Sequence, residues 1–80
     1  MTNELKNILE AAQTWYEASM RDFSNMQKAE AEHDEYMSNV YWAICQEYSG
    51  KADGLLLAYE IITGRSIYQH QIKDELQQIA

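Results

Sequence analysis

The 80-residue sequence contains no proline, only three glycines and a single cysteine. Because proline and glycine mark turns and loops, their scarcity favours long, uninterrupted helices. A single cysteine, Cys45, excludes a disulfide within the chain. A chain this short buries only about 60% of its unfolded surface, so its core alone is marginal. We therefore expect self-association or very regular helix packing to provide additional support.

Basic residues are also scarce. The sequence contains six Lys and Arg and thirteen Asp and Glu, which gives a net charge of −7. This charge disfavours binding to nucleic-acid phosphates and to anionic membranes. No apolar stretch approaches the roughly 20 residues that cross a bilayer. The first residues lack the basic start and apolar run of a signal peptide. We expect a cytoplasmic protein, and its acidity fits either a protein partner with a basic surface or no charged partner at all.

Residues 1–49 contain neither glycine nor proline and are rich in Ala, Glu, Gln, Leu, Met and Lys, which favour helix. No β-branched runs punctuated by turns indicate a sheet. The sequence therefore predicts one all-α domain over residues 1–80. An unbroken heptad pattern also runs through this half, and its apolar positions in the first 26 residues, here called the seam, are Leu5, Leu9, Ala12, Tyr16, Phe23 and Met26.

The continuous heptad register favours one long helix over residues 3–48. The alternative is a helical hairpin that breaks near Ser24, because Ser24 and Gln27 have the form of a capping box. A bend or an end is expected around Gly50. An apolar face resumes at residues 52–63, and Gly64 follows it as a C-cap glycine.

A last helix over residues 67–79 is predicted, with Ser66 and Gln69 as its capping box. Residues 40–45 are apolar nearly all round, and such a helix must be covered on every side. We therefore expect the two short C-terminal helices to pack back on the C-terminal half of the long helix. Its N-terminal half would then project with an unpartnered seam, which predicts a homodimer or a higher oligomer.

Two features suggest a surface for a protein partner. Eight of the thirteen acidic residues lie in residues 1–40, and the densest group, here called the acidic cluster, comprises Glu30, Glu32, Asp34 and Glu35. Carboxylates spaced along a helix can steer a basic partner, although a solvated helix face is the commoner explanation of such a cluster. Tyr36 and Trp42 are nearby aromatic candidates. Trp42 lies opposite the seam in the heptad, so it is either covered by the C-terminal helices or a binding anchor.

Glu30 and His33 form the only metal-like spacing in the sequence. A Glu and a His at i and i+3 share one face of a helix and supply ligands in di-iron bundles. A complete site needs two such motifs and further glutamates, so a polar seam position is the competing interpretation. No pattern in the sequence indicates catalysis, a phosphate-binding loop or a cofactor. We expect Cys45 to be a small buried hydrophobic residue.

Residues 48–67 read YSGKADGLLLAYEIITGRSI, a Gly-Lys turn followed by an apolar helix that closes on Thr-Gly-Arg-Ser. This stretch resembles the C-terminal part of small helical accessory proteins from phages and mobile elements of Gram-positive bacteria. The resemblance implies a protein that acts by binding in the host cytoplasm, as inhibitors of host enzymes and anti-CRISPR-like proteins do. It carries over no active-site residues.

These observations predict a non-enzymatic acidic helical protein that binds another protein and modulates or inhibits it. The first alternative is a structural protein that assembles with copies of itself through the seam. The second is a metal-binding helical bundle built on Glu30 and His33.

Overall fold

A computed structural model describes residues 2–79 of the chain, with the exception of the Thr2 side chain. The fold is all-α, as predicted. Helix α1 spans Thr2–Ala31 and helix α2 spans Glu35–Thr63. A short 3-10 turn at Gln69–Gln71 leads into helix α3, Ile72–Ile79. Helices α1 and α2 pack along each other as an antiparallel hairpin.

The chain turns at residues 32–34, so the interpretation of residues 3–48 as one helix is wrong. The alternative of a helical hairpin is confirmed, but the predicted position of its break is wrong, because the turn begins eight residues after Ser24. Asp34 N donates to Ala29 O at 2.8 Å and His33 N donates to Glu30 O at 3.0 Å. These bonds, with a left-handed φ of 60° at His33, form a Schellman motif that ends α1. Asp34 then caps α2 by accepting from Met37 N at 3.0 Å.

Helix α2 continues through Gly50 without the predicted bend or end. Helical propensity is a weak effect, and packing against α1 outweighs the cost of about 1 kcal/mol per glycine. The predicted C-cap is confirmed at Gly64, which has φ 75° and donates its N–H to Glu60 O at 2.7 Å. A glycine adopts this left-handed conformation without steric cost.

The hydrophobic core lies at the open end of the hairpin, where α3 packs against both long helices. Its fully buried members are Leu9 and Ala12 of α1, Leu56 and Tyr59 of α2, and Ile72 of α3. The C-terminal helix therefore covers the N-terminal half of α1. Residues 40–45 lie toward the other end, where the covering helix is α1 rather than the predicted C-terminal helices.

A partly buried ion pair joins α3 to the residues that follow α2, since the Glu75 side chain is 5% exposed and that of Arg65 is 57% exposed. Arg65 Nε and Nη2 donate to the two carboxylate oxygens of Glu75 at 2.7 and 2.8 Å. Tyr59 Oη donates to the same carboxylate at 2.5 Å. The Arg65 hydrogen bonds hold the pKa of Glu75 below its usual value, despite the opposing effect of burial. Burial, followed by the hydrogen bond to Glu75, raises the pKa of Tyr59.

The last helical segment begins later than predicted, and Ser66 and Gln69 do not form its capping box. Gln71 Oε1 instead accepts from Tyr68 N at 2.9 Å, two residues further along. Gln69 faces α2, where its Nε2 donates to Ser49 O at 3.1 Å and to Asp53 Oδ1 at 2.7 Å. Among residues 2–79, none of the helices has the combined length and apolar character that crossing a membrane requires.

Candidate protein-binding surface

The acidic cluster lies at the closed end of the hairpin, around the turn that joins α1 to α2. All four side chains are exposed, and no ion pair within the described residues involves any of them. The turn separates them into two pairs. Glu30 and Glu35 face one side of the hairpin together with His33. Glu32 and Asp34 face the other side, beside Lys28.

The side that carries Glu30 and Glu35 continues into a groove between α1 and α2. The groove, here called the aromatic groove, is lined in its middle by Tyr16, Met20, Phe23, Trp42, Gln46 and Ser49. Phe23 and Trp42 also line the next hollow along, which reaches Glu30 and Asn39. Glu30 and Asn39 in turn border the hollow at the turn. The three hollows therefore form one continuous surface that is apolar in the middle and acidic at one end.

Trp42 and Phe23 form the wall of the aromatic groove. Their ring centroids lie 6.4 Å apart at an interplanar angle of 54°, which is an ordinary tilted aromatic contact. Trp42 nevertheless remains 46% exposed and its neighbour Met20 is 50% exposed. The C-terminal helices do not cover Trp42, so of the two alternatives for this residue only the exposed position fits the structure. A half-exposed tryptophan beside other apolar side chains is typical of binding surfaces.

Tyr36 does not join this surface. It lies six positions before Trp42 on α2, which places the two residues about 120° apart around the helix axis. It is 76% exposed and does not line the aromatic groove. The structure therefore places Trp42, but not Tyr36, in the groove that leads to Glu30.

The seam has a partner within the chain, so the premise of an unpartnered N-terminal half is wrong. Leu9, Ala12 and Met26 are buried, and Leu5 and Tyr16 pack against the core. Phe23 is the seam residue that contacts Trp42 across the groove. The heptad pattern therefore reflects packing of α1 against α2 and α3. Self-association through these residues was predicted because the seam was expected to have no partner within the chain. That reason no longer holds.

Glu30 and His33 do not share a helix face, because His33 lies beyond the end of α1 in a left-handed conformation. Both border the hollow at the turn with Glu35. No three His, Cys, Asp or Glu side chains in residues 2–79 are grouped as a metal site would require. Cys45 is buried, with Sγ 3.6 Å from Ser19 Oγ, as a small core residue.

Met20 and Asn39 were not predicted as members of the surface, although they line the groove on opposite helices. Their position follows from the hairpin, which the continuous-helix interpretation excluded. One sequence signal for the hairpin was available. Asp34 begins a segment of helix-forming residues and is followed by Glu35, a typical N-cap and first-turn pair.

Comparison with known proteins adds no relatives: no protein-family model, no curated protein and no solved structure matches this chain. The arguments for function therefore come from the surface itself.

Proposed function

We propose that this chain is a non-enzymatic protein that binds a protein partner with a basic surface and modulates or inhibits it. One observation carries the proposal: the exposed carboxylate of Glu30, a member of the acidic cluster, borders the same hollow as the half-exposed Trp42. Carboxylates at a rim accelerate the approach of a basic partner. A partly exposed aromatic residue supplies apolar area that becomes buried on binding. We add to this proposal a role in the host cytoplasm, as an inhibitor of a host enzyme or defence system, from the resemblance of residues 48–67 alone, whose Gly-Lys turn lies inside α2 in this fold.

The structure determines which charges can be reversed without damage. Asp34 caps α2, so its replacement would also destabilise the helix. Glu30, Glu32 and Glu35 carry no such role. The triple variant Glu30→Lys, Glu32→Lys and Glu35→Lys therefore tests the surface. A matched control makes the same charge change at exposed sites away from the turn, with Glu10→Lys, Glu17→Lys and Glu60→Lys.

The experiment is capture of partners from host lysate, with bound proteins quantified by mass spectrometry. We expect the wild-type chain and the control variant to retain the same partner, and the triple variant at the turn to lose it. Equal capture by all three proteins would contradict the proposal. Thermal melts of each variant show whether the helices remain folded.

Self-association is a second candidate function, and an exposed apolar face of α2 favours it. Leu57 is 57% exposed and Ile61, one turn later, is 76% exposed. In this version the chain assembles with copies of itself through the outer face of α2, in place of the seam. Sedimentation would show a dimer for the wild type and a monomer for Leu57→Lys with Ile61→Lys. A monomeric wild type would eliminate this alternative.

A further inference from the structure

The third helix of the fold covers only half of the hairpin. Ile72 belongs to the same buried cluster as Leu9 of α1 and Leu56 of α2. Helix α3 packs along α1 at the open end and reaches α2 through side chains, including the hydrogen bond from Tyr59 to Glu75. Gln69, at the start of the 3-10 turn, forms one boundary of the aromatic groove. The groove therefore begins where the covering segment ends, on the same side of the hairpin. The remaining half presents the surface on which a third helix would pack.

The dimensions of the groove match a helix of moderate length. From Glu35 to Ser49 α2 extends about 21 Å, the length of roughly 14 helical residues or four turns. Its middle is apolar, with Met20, Phe23 and Trp42 partly or half exposed. Helix-in-groove recognition uses this arrangement, in which an apolar stripe of one helix enters an apolar groove of its partner.

Charge indicates what kind of helix fits. Glu30 and Glu35 border the groove at the turn, and no cation within the described residues is ion-paired to either. A second copy of this chain carries a net charge of −7 and would place like charges against each other. A helix with basic residues at one end would complement this end of the groove.

We propose that the aromatic groove binds a basic amphipathic helix of a partner protein, which completes a three-helix bundle with α1 and α2. This inference rests on the proposed function and specifies the partner's structure. The partner helix contributes an apolar stripe of three to four turns, packed on Met20, Phe23 and Trp42. Its basic residues lie toward Glu30 and Glu35.

The test uses two synthetic 18-residue amphipathic peptides that share the same leucine stripe. The polar face consists of lysine in one peptide and glutamate in the other. Binding to the full chain is measured by calorimetry. Met20→Lys places a cation in the groove, and Ile62→Lys places the same charge outside the groove at similar exposure.

We expect saturable one-to-one binding of the lysine peptide and at least about tenfold weaker binding of the glutamate peptide. Met20→Lys should weaken binding of the lysine peptide by about tenfold or more, because it opposes the peptide's charge within the groove. Ile62→Lys should change the affinity by less than about twofold. This combination would assign the groove as the binding site.

Three results would overturn the inference. Absence of saturable binding by the lysine peptide would show that the groove does not accept a basic helix. Equal affinities of Met20→Lys and Ile62→Lys, with binding lost only in the triple variant at the turn, would place binding on the acidic cluster alone. That result would contradict binding of a helix in the groove but would leave the proposed function intact. The capture of partners from lysate tests the proposed function independently, because it uses no peptide. A wild-type dimer that Met20→Lys dissociates would assign the groove to a second copy.

Discussion

Trp42 packs against Phe23 across the hairpin with ring centroids 6.4 Å apart, yet 46% of its surface stays exposed. Leu9, at the other end of α1, is completely buried against α2 and α3. The two ends of one hairpin thus differ because α3 covers only the open end. The largest fully buried side chains lie at the open end, whereas the half-exposed Trp42 lies in the groove that leads to the turn.

This difference predicts unequal costs of truncation. Leu9→Ala should lower the free energy of unfolding by about 2–5 kcal/mol, because it removes fully packed methyl groups and leaves a cavity. Trp42→Ala should cost only about 1–2 kcal/mol, because half of the ring already contacts solvent. Urea unfolding followed by circular dichroism measures both. A larger loss for Trp42→Ala than for Leu9→Ala would contradict this account.

The Arg65–Glu75 pair predicts a dependence of stability on pH. The pKa of Glu75 is lowered from an ordinary value of 4.5, mainly by its hydrogen bonds with Arg65. Its contribution is therefore present above about pH 4.5 and is lost as the pH falls through the lower, folded-state pKa. Glu75→Gln should cost about 1.5–3 kcal/mol at neutral pH, the usual range for hydrogen bonds to a charged group.

The difference in unfolding free energy between wild type and Glu75→Gln should shrink from about pH 6 to about pH 3. Urea titrations at a series of pH values measure it. A constant difference across this range would show that the charged form of Glu75 contributes nothing.

The all-α class could be predicted from the sequence because helix-forming residues and the heptad pattern agree over half of the chain. The Gly64 cap could also be predicted, since glycine accepts the left-handed conformation there. The turn was misplaced because His33 occupies the position where glycine is usual and no proline marks the break, which left the Asp34 N-cap as its one sequence signal. A heptad pattern also does not distinguish packing within a chain from packing between chains. This ambiguity produced the incorrect assignment of the seam, and the hidden turn obscured Met20 as a groove residue.

The three glycines should respond differently to replacement by alanine. Gly50 and Gly54 lie inside α2, and a Cβ at either position would meet no atom within 4 Å. Gly50→Ala and Gly54→Ala should each raise the free energy of unfolding by about 0.5–1 kcal/mol, because alanine favours helix. Gly64→Ala should lower it by about 1 kcal/mol, because φ is 75° there. Thermal melts of the three variants measure these effects, and stabilisation by Gly64→Ala would refute the assigned cap.

The turn itself should be sensitive at two adjacent residues. His33→Gly should stabilise the chain by about 1 kcal/mol, because glycine removes the cost of a positive φ at the end of α1. Asp34→Ala should destabilise it by about 1 kcal/mol, because Met37 N loses its acceptor. Chemical unfolding of both variants provides the measurement. A destabilising His33→Gly would mean that the imidazole makes a compensating interaction at the turn.

The most direct test of the account is the rate at which the captured partner associates with the chain as ionic strength increases. If the acidic cluster steers a basic partner, the wild-type rate falls steeply with added salt. The variant with Glu30, Glu32 and Glu35 changed to lysine associates slowly and with a weakened salt dependence. The control variant at Glu10, Glu17 and Glu60 retains most of the wild-type rate. Identical rates and identical salt dependence for the wild type and the variant at the turn would contradict the central claim.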